Sequence, residues 1–471
     1  MKHKIIIIIL AITCFTACKI PALVNKQEDK LVPSYYNTPQ DSTNIASIKW
    51  REYFTDPYLI AIIDSALKKN QELNIAIREI EIDKNEIQAR KGEYLPFVNV
   101  AGVAGVDKIG RYTWDGLSEE DLKANPDKAP KHIGEFRVGI YASWELDVWK
   151  KLRTAKKSAA LKYLATIEGK NFIVTNLIAE ISSAYYELLA LDNMMSIVKQ
   201  NIELQKNALH MVKLEKEAAK VSQLAVNRFD AQLLHTQNLQ YDIQQMIVET
   251  ENKINFLAGR FTQHVPRTST SLNEIPIEMV QSGIPSQLLL NRPDIRQAEL
   301  ALAASKLDVQ VARANFYPSF RLSAGTGFTA FNPGFVFNPE SLLFNLVGDA
   351  VGPLINKNGI KAAYQNANEK QIISAYEYER TILSAFIEVA NHLSFINNYK
   401  NSYETKAKEV EILNQSVDIS NKLFISSKAD YIEVLLTQRE ALDSRIELIE
   451  TKLKQLQAKV NIYRALGGGW N

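Results

Sequence analysis

The chain has 471 residues, 23% of them charged, with 55 basic residues against 53 acidic ones. This balance leaves no electrostatic footprint for nucleic acid. Beyond the N-terminus no segment approaches the roughly 18 uninterrupted apolar residues of a membrane helix, so if the chain crosses a membrane it must do so as a β-barrel.

Lys2, His3 and Lys4 precede an apolar run from Ile5 to Ile12, too short to span a bilayer comfortably. Phe15-Thr16-Ala17-Cys18 follows and resembles a bacterial lipobox, in which cleavage leaves a diacylated cysteine. Residues 1–17 are therefore expected to be a lipoprotein signal peptide, with Cys18 as the lipid attachment site. The alternative is an ordinary signal peptide cleaved after Ala17. The anchor is favoured because Cys18 would be the only cysteine of the mature chain, and a lone thiol is unusual in an oxidising compartment. Loss of Lys2 and Lys4 leaves 53 basic and 53 acidic residues. Residues 18–55 are polar, contain Pro21, Pro33 and Pro39, and read as an extended tether.

A helix is expected from Asp56, as N-cap before Pro57, to about Gly92. Pro96 ends it and the period becomes two. Strands follow at about 97–106 and 135–148. In the second, Phe136, Val138, Ile140, Ala142, Trp144, Leu146 and Val148 alternate with Arg137, Gly139, Tyr141, Ser143, Glu145 and Asp147. One face suits lipid and the other water, at the length of a membrane strand, although a soluble sandwich alternates too. Helices are then expected over 150–220 and 222–260. The first holds no proline, and about 70 residues make roughly 105 Å of helix.

Residues 262–291 are an irregular linker, and the order then repeats. A helix over 292–316 leads to strands at about 319–328 and 341–354, helices over 359–427 and 430–466, and a short tail at 467–471. Residues 70–96 match the chain 222 positions later, and Leu152-Arg153-Thr154-Ala155 matches Ile360-Lys361-Ala362-Ala363 at an offset of 208. A 14-residue insertion in the first inter-strand loop, 107–133, accounts for the difference. The repeats are thus 56–261 and 292–466. The last helix carries Ile432, Leu435, Leu442, Ile446, Ile449, Leu453, Leu456, Val460 and Tyr463 at three-four spacing, the seam of a coiled-coil hairpin. Four strands cannot close a barrel, and open edges cannot face lipid. The chain therefore reads as one sector of an oligomeric barrel.

Three segments carry a family resemblance. Ser143-Trp144-Glu145-Leu146-Asp147-Val148-Trp149 resembles a strand-to-helix junction of TolC-type outer-membrane factors. Ile284 to Ile295, with Asn291-Arg292-Pro293-Asp294, is similar to the opening of their second half. Ile462 to Trp470 resembles their C-terminal signature. The likeness covers residues 18–471 and favours the lipoprotein branch serving RND efflux pumps.

The resemblance implies a mainly α fold with a membrane β-barrel sector, built from a duplicated helix, β-hairpin and long helical hairpin. It implies a homotrimer whose twelve-stranded barrel crosses the outer membrane, contacts its lipid, and continues as a periplasmic α-helical tunnel. Residues 262–291 would form part of an equatorial belt. A periplasmic membrane-fusion adaptor would link the tunnel to an inner-membrane RND pump that supplies the energy. The implied function is passive exit of small molecules such as drugs or toxic compounds.

It also places Ala219, Lys220, Val221, Ser426, Ser427 and Lys428 at adaptor-contacting hairpin tips, and Ile432, Glu433 and Asp430 at a periplasmic gate. Other readings stand beside these. The tip residues make plain polar turns, Ile432 can belong to the hairpin core, and Glu433 and Asp430 can cap a helix. Arg137, Glu145, Asp147 and Arg321 are barrel-lumen candidates or a solvated wall. Trp144, Trp149 and Tyr317 sit where interfacial aromatic girdles do. No catalytic constellation, cofactor motif or metal-ligand spacing is expected, and no enzyme activity. The alternatives are the outlet of a type I protein secretion system and a non-channel periplasmic coiled-coil structural lipoprotein.

Overall fold

The computed structural model describes residues 20–24, 26–36, 44–108, 132–268, 272–276, 282–426 and 428–470. The signal segment with Cys18, most of the 107–133 loop, and Ser427 lie outside the described residues. In order, the elements are α1 (Trp50–Tyr53), α2 (Pro57–Lys69), α3 (Gln71–Tyr94), β1 (Phe97–Asp107), β2 (Ile133–Leu146), α4 (Lys151–Glu217) and α5 (Gln223–Leu257). The second half adds α6 (Leu288–Asn291), α7 (Pro293–Ala314), β3 (Ser319–Ala330), β4 (Leu342–Val351), α8 (Asn358–Ile425) and α9 (Tyr431–Ala465). Among the described residues no helix is long and apolar enough to cross a membrane. The chain divides into two units, one of residues 1–27, 81–164 and 300–376, the other of 28–80, 165–299 and 377–471.

The first unit is built on a four-stranded sheet of order β1-β2-β3-β4, antiparallel throughout. Residues opposite one another in such ladders share a face. One face carries the rows Val98–Ala142–Ala324–Leu346, Val100–Ile140–Thr326–Phe344 and Gly102–Val138–Phe328–Leu342. The other carries Asn99–Tyr141–Gly325–Asn345, Ala101–Gly139–Gly327–Leu343 and Glu145–Arg321–Asp349. The period-two alternation read from sequence is thus present across all four strands.

The second unit holds the hairpins. Asp56 caps α2 by accepting from the Tyr58 amide at 2.8 Å, with Pro57 at its first turn. The expected single helix over 56–92 is in fact two. Asn70 leaves the helical region at φ −60, ψ 128. Its Oδ1 accepts from the Leu73 amide at 2.9 Å, starting α3, while its Nδ2 donates to the Leu257 carbonyl at the end of α5, at 3.0 Å. One side chain therefore satisfies groups at two helix ends, which outweighs continuing the helix.

The α8–α9 seam needs a similar correction. Leu442, Ile449, Leu456, Val460 and Tyr463 are buried as their spacing predicts. Toward the tip, however, Val434, Gln438 and Ala441 are buried instead, and Ile432 is 38% exposed. Gln438 donates to Asn421 of α8 and Gln455 to the Tyr399 carbonyl, so the seam is partly polar. An apolar-only count misplaces such a register.

The two signature segments of the second half pack together. Arg292 is 8% exposed at its side chain and meets Asp294 and Glu388, each at 2.7 Å. Its Nη1 also donates to the Ala465 carbonyl at 2.8 Å. Burial would lower the Arg292 pKa, but the two carboxylates outweigh it and raise the value. Gly467 adopts φ +91, and a Cβ there would come within 2.6 Å of the Asn291 carbonyl oxygen. The linker is also tied down: Lys452 donates to the Ile275 carbonyl at 2.8 Å, and Tyr403 to Asn273 at 3.2 Å.

Described residues of the expected tether make contacts with the helices. In the first unit Lys26 lies 4.4 Å over the Tyr376 ring. In the second, Lys30 pairs with Glu299 at 2.7 Å and Tyr36 stacks on Phe386 at 5.4 Å.

Candidate functional site

Two regions carry the candidate residues: the sheet and the hairpin tips. The apolar face of the sheet lies open, with Val100 77% and Phe344 85% exposed. Its edge strands, β1 and β4, each pair on one side only among the described residues. In water, such a face and two such edges would drive association.

The opposite face keeps three of the four lumen candidates. Glu145 is placed opposite Arg321, which is opposite Asp349. These make a row of alternating charge at the helix-side end of the sheet. Arg137 pairs with Glu135 on its own strand. Asp349 is not among the candidates the sequence suggests, and Tyr141 is on the face expected for it. The Tyr141 ring covers Gly325, where an added Cβ would come within 2.8 Å of it. Asp349 is in step with Asn345 on β4, but Leu343 and Val347 share that phase and blur the signal.

Asp147 does not belong with them. It lies beyond the last residue of β2, and its side chain is 2% exposed. Its carboxylate accepts from the Leu152 amide at 2.9 Å and the Arg153 amide at 3.0 Å, and pairs with Arg153 Nε at 3.0 Å. It caps α4. Burial would raise its pKa, but the two amides and the Arg153 guanidinium outweigh that and hold it below the ordinary carboxylate value. Trp144 donates to the Tyr94 carbonyl at 3.0 Å. Trp149 stacks on Tyr317 at 4.7 Å.

At the first tip, Ala219 takes φ +58, a left-handed conformation, and the Lys220 amide closes the turn on the Glu215 carbonyl at 2.9 Å. Val221 precedes Ser222, whose hydroxyl caps α5. At the second tip the Ser426 hydroxyl donates to the Lys422 carbonyl, and the Lys428 amide to the Leu423 carbonyl at 2.8 Å. Asp430 precedes α9 but makes no side-chain capping bond. Glu433 lines a shallow hollow with Ile419, Leu423, Leu436 and Thr437. Asp430 thus stands at the N-cap position of α9, and Ile432 and Glu433 lie in its first turn, with Ile432 38% exposed.

Residues 62–260 and 284–468 match the family described as outer membrane efflux protein. A similar relative is the toluene efflux pump outer membrane protein TtgI of Pseudomonas putida, 26% identical over 93% of this chain and 91% of its own length. The pyoverdine export outer membrane protein OpmQ of Pseudomonas aeruginosa is 27% identical over 90% of this chain and 87% of its own. Among solved structures, the open state of the Neisseria gonorrhoeae MtrE outer membrane channel superposes with a TM-score of 0.83 at 22% identity. It covers 96% of this chain and 98% of the channel chain. On these matches, and with the fold they share, the chain belongs to the outer membrane efflux protein family.

Proposed function

We propose that the protein is the outer-membrane exit duct of a tripartite RND-type efflux system. Three copies close their sheets into a twelve-stranded barrel, with the apolar rows toward lipid and the Glu145–Arg321–Asp349 rows toward the lumen. The paired helices continue as a periplasmic tunnel. Cys18 carries the lipid anchor. The two hairpin tips, Ala219 to Val221 and Ser426 to Lys428, receive a periplasmic adaptor, which joins the duct to its inner-membrane pump. Asp430, Ile432 and Glu433 constrict the tunnel end, where apolar and charged rings gate a pore.

The observation that carries this reading is an exposed apolar sheet face bounded by two edges that are unpaired among the described residues. Both are liabilities in water, and both are removed by closing a barrel in lipid. The named relatives handle cargoes as unlike as toluene and pyoverdine, so the duct is read as a general outlet for small molecules. Single-channel recording in planar bilayers tests it. Discrete conductance steps are expected, with a larger open fraction after Ile432→Ser with Glu433→Ala. The absence of steps in both proteins would overturn the reading.

A further inference from the structure

Between β3 and β4 the chain reads Phe331-Asn332-Pro333-Gly334-Phe335-Val336-Phe337-Asn338-Pro339-Glu340-Ser341. This loop leaves the sheet at its Phe328–Leu342 end. The Ser319–Val351 end, opposite, is where α7 enters and α8 departs. The loop holds one charge, Glu340. Phe331, Phe335 and Phe337 are all exposed, Phe337 by 79%, while Val336 is buried. Exposed aromatic rings add little to the fold, and a patch of them marks a surface that meets a partner.

Two observations say what that partner is. The first is position. Phe337 sets its ring edge-on to Phe328, with centroids 6.0 Å apart. Phe328 belongs to the apolar row Gly102–Val138–Phe328–Leu342, so the loop leans toward the apolar face of the sheet. Exposed Leu342 and Phe344 continue the same surface along β4. The second is the backbone. Asn332 Oδ1 accepts from the Gly334 amide at 2.9 Å, and Asn338 Oδ1 from the Glu340 amide at 3.0 Å. Each Asn thereby caps a 3-10 turn that opens on a proline. The amides of Phe335, Val336, Asn338 and Ser341 donate to carbonyls within the loop, and Pro333 and Pro339 have no amide to satisfy. A loop that closes its own hydrogen bonds can leave water at little cost, which is the condition lipid imposes.

We propose that the β3–β4 loop is a membrane anchor, whose phenylalanines lie in the headgroup–acyl boundary of the leaflet remote from the helices. The partner is the lipid surface itself. The inference rests on the membrane reading above and carries the lipid contact from the strands into the loop. Phe335 and Phe337 enter the boundary, and Asn332 and Asn338 hold the turns that present them. The loop thus fixes the depth of the sheet at one end, as the stacked pair Trp149 and Tyr317 would at the other.

The test uses the full-length protein in phosphatidylcholine vesicles, with one introduced cysteine at a time: Phe335→Cys, Phe337→Cys or, on the apolar face of β4, Phe344→Cys. Each is labelled with an environment-sensitive fluorophore, and protein without an introduced cysteine, treated alike, supplies the background. The heat-modifiable band verifies folding of each variant. Emission is quenched in turn by lipid brominated near the top of its acyl chains and by iodide in the water. The labels at 335 and 337 should be quenched by the brominated lipid at least about twofold more than by iodide, as a depth of about 5–10 Å in the headgroup–acyl boundary requires. Stronger quenching by iodide at both loop positions would overturn the proposal. So would quenching by neither agent, which would mean that another copy of the chain covers the loop. In both cases lipid quenching of the label at 344 would leave the membrane reading in place. A label at 344 that lipid does not quench would overturn that reading and the proposal together.

Discussion

Arg292 illustrates how a residue singled out by its motif turns out to act through packing. Its guanidinium joins Asp294, Glu388 and the Ala465 carbonyl, so it ties the opening of the second repeat to its last helix. Removing one partner of a buried pair strands the other charges, at a cost of about 3–5 kcal/mol. Arg292→Met should therefore lower the unfolding free energy by that order, measured by denaturant titration of the purified protein. No change in the midpoint would count against the network. Asp147 offers a second test at this scale. Its folded pKa is depressed, so its stabilisation is complete at neutral pH and is lost as the pH falls through the lowered folded value. Asp147→Ala should cost about 0.5–2 kcal/mol near neutrality. In melts across a pH series, the gap from wild type should close on acidification.

At the scale of elements, glycine sets how closely the strands of the sheet approach. A Cβ on Gly327 would collide with the Val138 carbonyl oxygen and lie 2.6 Å from the Gly139 Cα, whereas one on Gly348 meets nothing within 4 Å. Overpacking of this kind costs about 1–3 kcal/mol or more. Gly327→Val is expected to abolish the heat-modifiable band and Gly348→Val to keep it; the reverse order would refute the register.

The same elements show what the sequence made legible. Period-two alternation marked β2 and β3 clearly, and β1 and β4 more weakly, because one face is mostly apolar. The absence of proline located α4 and α8. The break at Asn70 was missed because its cause is tertiary: the Asn70 amide answers a carbonyl on α5, although Lys68-Lys69-Asn70 was a fair stop signal. The tip seam was misplaced because Gln438 fills a buried position through a hydrogen bond. Asp147 was assigned to the lumen by counting in twos past Leu146, where the strand had already become a cap. Of the candidate site, Glu145 and Arg321 as polar-face residues and the tip turns were named from the sequence, but not that Glu145 and Arg321 stand opposite one another. Asp349 was not named, since the alternation of β4 is weak on the polar side.

The whole molecule is where the account commits most. A near-balanced charge, a duplicated chain and a sheet of four strands fit a ring of like units better than a lone monomer. In such a ring, β4 of each chain must pair with β1 of the next. The most direct measurement introduces Asn99→Cys on β1 together with a cysteine at position 343, 345 or 347 on β4, one at a time. The body of the chain after Cys18 has no cysteine of its own. Mild oxidation of membranes containing these proteins should give a ladder of dimer and trimer for at least one β4 position, and no larger species. Monomer alone at every position, or a ladder running past three chains, would contradict the closed trimeric barrel.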